Sequence, residues 1–398
     1  MKLIFTLLLI STLSITGSAQ HHFKAPGNKM LVVSGGGARG AWGVGLISEL
    51  YKKNGGYKIV YGTSTGSLMA PFVLLQKFDT LKEAYSKVNQ HTIFNISPFK
   101  VKYNPTTKTV TTKLRVLNGL YRGIFKKTLG TTDNLKELIE DWFTKKRYDS
   151  LIDFYKSNNM MLAVAVTNMR TGALEIKTDS SYSKSKEHYE EMVNWIWASS
   201  NEPLFMSYVE MNDPAGKKSY YVDGGLRRVI PVEEALRYAI NHNIDTIDVV
   251  INNSKIPEKQ NWDKEKESLM GGLLRILSIY NSGTVTYNVN YADLLRNYIN
   301  DCGKFPPPPP KHLNVSILAS DGVASLANAE ERERQIVMKF YWMADDVAAR
   351  YPDELGFIEE AMIDLIREGE IAAKSKDNRM EFIIKEKSVR EVINNTLK

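Results

Sequence analysis

The chain has 398 residues, 43% of them hydrophobic and 24% charged, with a formal net charge of +7. That is the balance of a globular protein with apolar residues enough for a large core, built as one large α/β domain with additions or as two domains. Cys302 is the only cysteine, which excludes an intrachain disulfide and a thiolate metal cluster, and the basic excess inclines the chain toward anionic surfaces.

The chain opens with "MKLIFTLLLISTLSITGSAQ": a lysine, an apolar run from Leu3 to Ile10, then small residues at Gly17 and Ala19. Residues 1–19 have the layout of a cleavable secretory signal, with cleavage expected after Ala19. A membrane anchor would need about 20 apolar residues, and this run breaks into Ser and Thr. No cysteine stands near the cleavage site for a lipid anchor. The mature protein is expected to be exported, to the periplasm or the medium, free or associated with a membrane surface.

Next come an apolar strand at Met30–Val33, a glycine cluster, and a helical pattern over Ala41–Tyr51. "YKIVYG" is a second strand and "SLMAPFVLLQKF" an apolar helix after it. Strand, glycine turn and helix, twice in succession, predict a parallel sheet with helices on its faces. Further strands are expected in "MLAVAVTN" from Met160, "ALEIK" from Ala173, "SYYVDGG" from Ser219, "IDTIDVVI" from Ile244 and "LNVSILAS" from Leu313. Helices are expected at Asn134–Phe143, Val232–Asn241 and Leu269–Leu277. "KIPEKQNWDKEKE" is a polar connector, and Phe305–Pro310 ("FPPPPP") a stiff extended spacer. From Ala327 onward the chain reads as helices, and no internal repeat is visible.

One stretch departs from the average composition. Between Glu83 and Asp133 there is no acidic residue, while Lys87, Lys100, Lys102, Lys108, Lys113, Arg115, Arg122, Lys126 and Lys127 lie inside it, interleaved with Phe94, Phe99, Tyr103, Tyr121 and Phe125. Such an insertion suits contact with anionic lipid headgroups, or is a solvated loop whose aromatics pack inward. No nucleic-acid reading motif is present.

"GGGARG" at Gly35–Gly40 satisfies the glycine pattern of a dinucleotide site. That site also wants an acid about 20 positions on, and none occurs between Glu49 and Asp79. The same glycines can serve another anion. Consecutive N–H groups at a helix N-terminus form a nest for a phosphate, or for the oxyanion that develops when an ester carbonyl is attacked. "GTSTG" at Gly62–Gly66 puts Ser64 between two glycines where a strand turns into a helix, the layout of a nucleophile elbow. Such a serine needs a base. His242 and His312 are the histidines late enough in the chain for a Ser–acid–His order, and neither has a triad context. Asp223 does offer a carboxylate, at the end of an apolar strand and ahead of Gly224 and Gly225.

Together these residues resemble the patatin-like phospholipases. The family's glycine-rich oxyanion loop is matched by "GGGARG", its serine elbow by "GTSTG", and its later Asp-Gly turn by "DGG" at Asp223–Gly225, in the same order. "AVTNMRTG" and "ASSNEPLF" are supporting stretches, the second with Glu202 in place of the usual small residue. Ser34 stands where many members have Asp, a departure expected to bear on loop support. The resemblance covers about Lys29 to Val232 and leaves the basic insertion and the C-terminal region unassigned.

The resemblance implies a three-layer α/β/α sandwich with a mainly parallel sheet. The chain is expected to divide into a catalytic domain at residues 28–325, with the core motifs within 29–232 and the basic insertion at about 84–132, and a helical C-terminal extension at 326–398. It implies a Ser64–Asp223 dyad in which the aspartate takes the serine proton directly. The oxyanion hole is expected from Gly35, Gly36, Gly37, Arg39 and Gly40, chiefly the N–H groups of Gly36 and Gly37, with Arg39 bracing the loop or adding positive potential. Gly62, Gly66, Gly224 and Gly225 shape the turns. The implied substrate is a lipid acyl ester, with no metal, no organic cofactor and no nucleic acid. The alternatives are a non-catalytic lipid-binding relative and, further off, a dinucleotide-binding α/β protein.

Overall fold

β1 (Lys29–Val33) and β2 (Ile59–Thr63) are continuous apolar runs rather than alternating ones, as strands covered on both faces are. In the computed structural model, which describes residues 25–115, 121–122, 124–179, 181–212, 216–254, 269–302, 334–352 and 354–386, they pair in parallel from Met30 with Ile59 to Val33 with Gly62. The secretory signal, the polar connector, the proline spacer, the strand expected from Leu313, and His21, His22 and His312 lie outside the described residues.

α1 (Gly40–Asn54) returns the chain from β1 to β2, and α2 (Thr65–Leu74), α3 (Phe78–Ser86) and the short α4 (Gln90–Ile93) follow. The basic stretch then forms a hairpin of β3 (Phe99–Asn104) and β4 (Thr109–Leu114), which its composition does not announce. α5 (Asp133–Trp142) and α6 (Lys145–Asn158) lead into β5 (Met161–Asn168) and β6 (Leu174–Thr178). α7 (Lys186–Ser199) precedes a second hairpin, β7 (Val209–Asn212) and β8 (Lys218–Asp223). Then come α8 (Val232–Asn241), β9 (Thr246–Ile251) and α9 (Leu269–Cys302), the last much longer than the Leu269–Leu277 pattern.

Among the described residues the main sheet has nine strands, ordered β11-β10-β9-β1-β2-β5-β8-β7 with β6 also on β5. The run from β10 to β5 is parallel; β6 and β8 join β5 antiparallel. Alternate residues of β1 face opposite cores. Leu31 and Val33 join the layer of α1, α2, α7 and the hairpin β3–β4, whereas Met30 and Val32 join the layer of α8 and α9. The result is a mostly parallel three-layer α/β/α fold.

The C-terminal region holds the expected helices, α10 (Asp345–Arg350) and α11 (Glu359–Ala372), and two strands besides. "RQIVMKFYW" is β10 (Arg334–Trp342), not part of a helix beginning at Ala327, and β11 (Arg379–Glu386) pairs with it. Ile336, Met338 and Phe340 alternate into one core, the period of a strand, and its β-branched and aromatic content suits a pleated surface. β10 lies parallel to β9, and α11 buries Met362, Leu365 and Ile366 in the same core as Trp42 and Leu46 of α1. The region therefore extends the sheet and covers α1.

Candidate active site

The meeting of Ser64 and Asp223 follows from how β5 is shared. β6 takes one edge of β5 along Ala163–Thr167. On the opposite edge β2 runs parallel to β5 and ends with Thr63 beside Ala165. β8 runs the other way along that same edge and ends with Asp223 beside Val166. Two strands thus approach head-on and stop one β5 residue apart, so the residue after one meets the last residue of the other. The Ser64 side chain thus comes to the Asp223 carboxylate and favours its charged form.

Ser64 has φ 54° and ψ −126°, a conformation that L-residues rarely adopt and that turns its side chain out of the strand-to-helix corner. Neighbouring groups hold it there. Its N–H donates to Ser199 Oγ at 3.0 Å, and its carbonyl accepts from Ser67 Oγ at 2.6 Å and Ser200 Oγ at 3.3 Å. The flanking glycines answer to close backbone approaches: a Cβ on Gly62 would run into the Gly66 carbonyl, and one on Gly66 into the Val33 carbonyl.

Asp223 is 2% exposed. Its Oδ1 accepts from Gly225 N at 2.6 Å, its N–H donates to the Asn201 carbonyl at 3.0 Å, and its carbonyl accepts from Thr167 Oγ1 at 3.0 Å. Burial pushes its carboxyl up to about 7, against the opposing pull of the Ser64 and Gly225 bonds, with the Glu354 charge adding a further upward push. Glu202 is a second carboxyl in this neighbourhood, pushed well above the ordinary range by burial and by the charges of Asp223 and Glu354.

The glycine loop follows β1 and passes over Ser64, since a Cβ on Gly35 would lie 3.3 Å from Ser64 Cβ and 4.0 Å from its Oγ. Of the expected donors, Gly35 N–H is bonded to the Val229 carbonyl at 3.1 Å, Arg39 N–H to the Gly36 carbonyl at 2.9 Å, and Gly40 N–H to the Gly37 carbonyl. The N–H groups of Gly36 and Gly37 have no acceptor among the described residues. Both glycines need positive φ, 148° and 50°.

The Arg39 side chain is buried and faces away from Ser64, toward the C-terminal region. Nε donates to the Tyr351 carbonyl at 2.8 Å, Nη1 to Asn253 Oδ1 at 2.5 Å, and Nη1 lies 3.6 Å from Glu354 Oε1. The Glu354 carbonyl accepts from Ala38 N at 2.8 Å. Ser34 Oγ accepts from Asn252 N at 2.8 Å and donates to the Gly35 carbonyl at 2.7 Å, a loop-supporting role for the residue that replaces Asp. Tyr351, Glu354, Asn252 and Asn253 are site residues that motif reasoning misses. Their one sequence signal is indirect: a buried arginine in a glycine loop must find carboxylate or carbonyl partners somewhere.

Among the described residues no histidine is hydrogen-bonded to Ser64 or Asp223, and no group of His, Cys, Asp and Glu could hold a metal ion. His242 stacks on Tyr238 with ring centroids 3.7 Å apart and meets its carbonyl at 2.9 Å.

The fold is that of a three-layer α/β/α protein, with a serine elbow, a glycine loop and a buried aspartate brought together. The family model described as "Patatin-like phospholipase" matches residues 31–236, and the chain belongs to the patatin-like phospholipase family. That family is one of lipid acyl hydrolases, with a lipid ester as substrate. No curated protein matches the chain significantly. Among solved structures it is similar to one described as the crystal structure of VipD from Legionella pneumophila, at 14% identity, covering 89% of this chain and 68% of that chain with a TM-score of 0.37.

Proposed function

We propose that the protein is an exported lipid acyl hydrolase, of phospholipase A or lysophospholipase type, that cleaves carboxylic esters of membrane lipids with Ser64 as nucleophile and Asp223 as base. The observation that carries this reading is the end-to-end arrival of β2 and β8 on one edge of β5, which brings Ser64 to a buried carboxylate at the end of β8. Ser64 Oγ attacks the acyl carbonyl carbon while its proton passes to Asp223. The oxyanion develops toward the N–H groups of Gly36 and Gly37, whose donors are held in place before the reaction begins. The tetrahedral intermediate collapses to an ester on Ser64, and Asp223 returns its proton to the departing alcohol. Water then attacks the acyl-enzyme and passes a proton to Asp223, and as the second tetrahedral intermediate collapses Asp223 returns that proton to Ser64 Oγ and the fatty acid leaves. An ordinary aspartate is a weak base toward a hydroxyl, and burial lifts Asp223 into the range where a general base works at neutral pH.

Labelling with a fluorophosphonate tests the nucleophile. The wild-type chain is expected to label and to hydrolyse a lipid panel; Ser64→Ala is expected to do neither while keeping its thermal unfolding. Labelling that persists in the variant would remove Ser64 from the mechanism, and an unlabelled wild type would favour a non-catalytic lipid-binding protein. Export rests on residues 1–19. Mass spectrometry of the exported protein is expected to give an N-terminus at or close to Gln20, and an intact Met1 in the cytosol would overturn that location.

A further inference from the structure

The hairpin β3–β4 sorts the basic insertion into two faces. Phe99, Val101 and Tyr103 of β3, with Val110 and Leu114 of β4, turn inward onto the core shared with Phe94 and Phe205. Lys100, Lys102 and Lys113 stand exposed on the outer face, with Lys100 directly opposite Lys113. Like charges across a ladder destabilise it. Among the described residues neither these three lysines nor Lys126 has an ion-pair partner, whereas Lys108 is paired with Asp364 at 3.4 Å.

An apolar element lies further along the same insertion. Tyr121, Ile124 and Phe125 are 59%, 72% and 67% exposed, large side chains open to water within five positions. Folding gains nothing from such exposure, and a single isolated case would mean little. The segment after them is tied to the site. Arg122 donates to the carbonyls of Thr128 and Gly130, Leu129 N donates to the Leu204 carbonyl at 2.8 Å, and Thr132 Oγ1 to Asn201 Oδ1 at 2.5 Å. Asn201 is the residue whose carbonyl holds the Asp223 N–H. The exposed apolar turn therefore continues into the loop that borders the candidate site.

We propose that the outer lysines of β3–β4, with Lys126 and the apolar side chains of Tyr121, Ile124 and Phe125, form a docking surface for an anionic lipid bilayer. The lysines attract the headgroups, and the apolar turn enters the interface beside the Glu202–Phe205 loop. The occupant is argued from charge complementarity together with apolar exposure, a pairing that a water-soluble polyanion would not use. This surface rests on the acyl-hydrolase reading for its purpose but is tested without turnover.

The test is co-sedimentation of the full chain carrying Ser64→Ala with vesicles of phosphatidylcholine alone, or of phosphatidylcholine and phosphatidylglycerol in equal parts. Binding to the mixed vesicles is expected, weakening as added salt shortens the Debye length below about 10 Å. Replacing Lys100, Lys102, Lys113 and Lys126 with Gln is expected to weaken it by up to about fivefold per lysine. Ile124→Ser with Phe125→Ser is expected to weaken it at unchanged charge. A control carrying Lys53→Gln, Lys146→Gln, Lys156→Gln and Lys376→Gln, equal in charge, is expected to bind as the parent does. Circular dichroism and thermal unfolding check that each variant is folded. The proposal is overturned if the lysine variant binds like its parent, if the control loses as much, or if the Ile124/Phe125 variant binds unchanged and heparin displaces the vesicles completely. Because binding is read on the Ser64→Ala chain, an inactive wild type would overturn the hydrolase reading alone and leave the vesicle result standing.

Discussion

The Ser64 elbow and the glycine loop beside it are secured by different parts of the chain. The elbow is held by β2, the first turn of α2 and the serines closing α7, all within the region that the family model spans. The loop is braced from outside that region, by Asn253 after β9 and by Tyr351 and Glu354 between α10 and α11. A nucleophile needs one strained residue at a fixed corner, and a strand entering a helix supplies the corner. Two N–H groups aimed at a developing charge need a whole loop held still, and consecutive glycines do not hold themselves. The C-terminal region supplies that rigidity through Arg39 and the Glu354 carbonyl.

If the contrast is right, damage to the elbow side is the more severe. Asp223→Asn keeps the shape but cannot accept the proton, so hydrolysis of a soluble ester should fall by about 10²-fold or more, with no change in His242→Ala. Equal losses in both would call for a histidine in the mechanism. Gly37→Ala acts on the other side. A methyl there meets the Glu354 carbonyl at a φ of 50°, so the loop must shift and its donors with it. A loss on the order of 10²-fold in kcat is expected, while fluorophosphonate labelling is slowed and not abolished. Normal kcat would mean that other donors meet the oxyanion.

Arg39→Ala removes the brace and keeps both N–H groups. We expect a loss of roughly tenfold in kcat, together with a lower unfolding temperature, because the Glu354 carboxylate and the Tyr351 carbonyl lose their buried partner. An Arg39→Ala enzyme with unaltered kcat would show that the loop holds its shape unaided.

The smallest effect is electrostatic. As the proposed base, Asp223 would have to be ionised, and its carboxyl is pushed up to about 7. The rate should therefore rise with pH and level off above that value, falling by about tenfold per pH unit below it. Glu354→Gln removes a negative charge that raises Asp223, so the rising limb should move to lower pH, by less than about one unit. A limb that stays in place would separate the structural role of the Glu354 backbone from any role of its charge.

The motifs of the site were legible because each states a local steric fact. "GTSTG" and "GGGARG" are glycines where backbones crowd or φ is positive, and "DGG" follows a strand that has to end. The two apolar strands and the helix after each were legible for a similar reason, since period and turn chemistry act over a few residues. The end-to-end arrival of β2 and β8 on one edge of β5 was not, because register between strands far apart in the chain has no local signature. Nor was β10, whose nine residues follow a charged stretch and reveal their alternation only against β9. Composition flagged the basic insertion, but pairing decided that Phe99 and Tyr103 face inward while Lys100 and Lys102 face out. The amino-acid sequence by itself determined which residues could do chemistry, through backbone sterics at a few glycines. Only the tertiary structure decided which N–H groups stay free and which carbonyl holds the loop, because a hydrogen-bond partner is chosen by packing and not by distance along the chain.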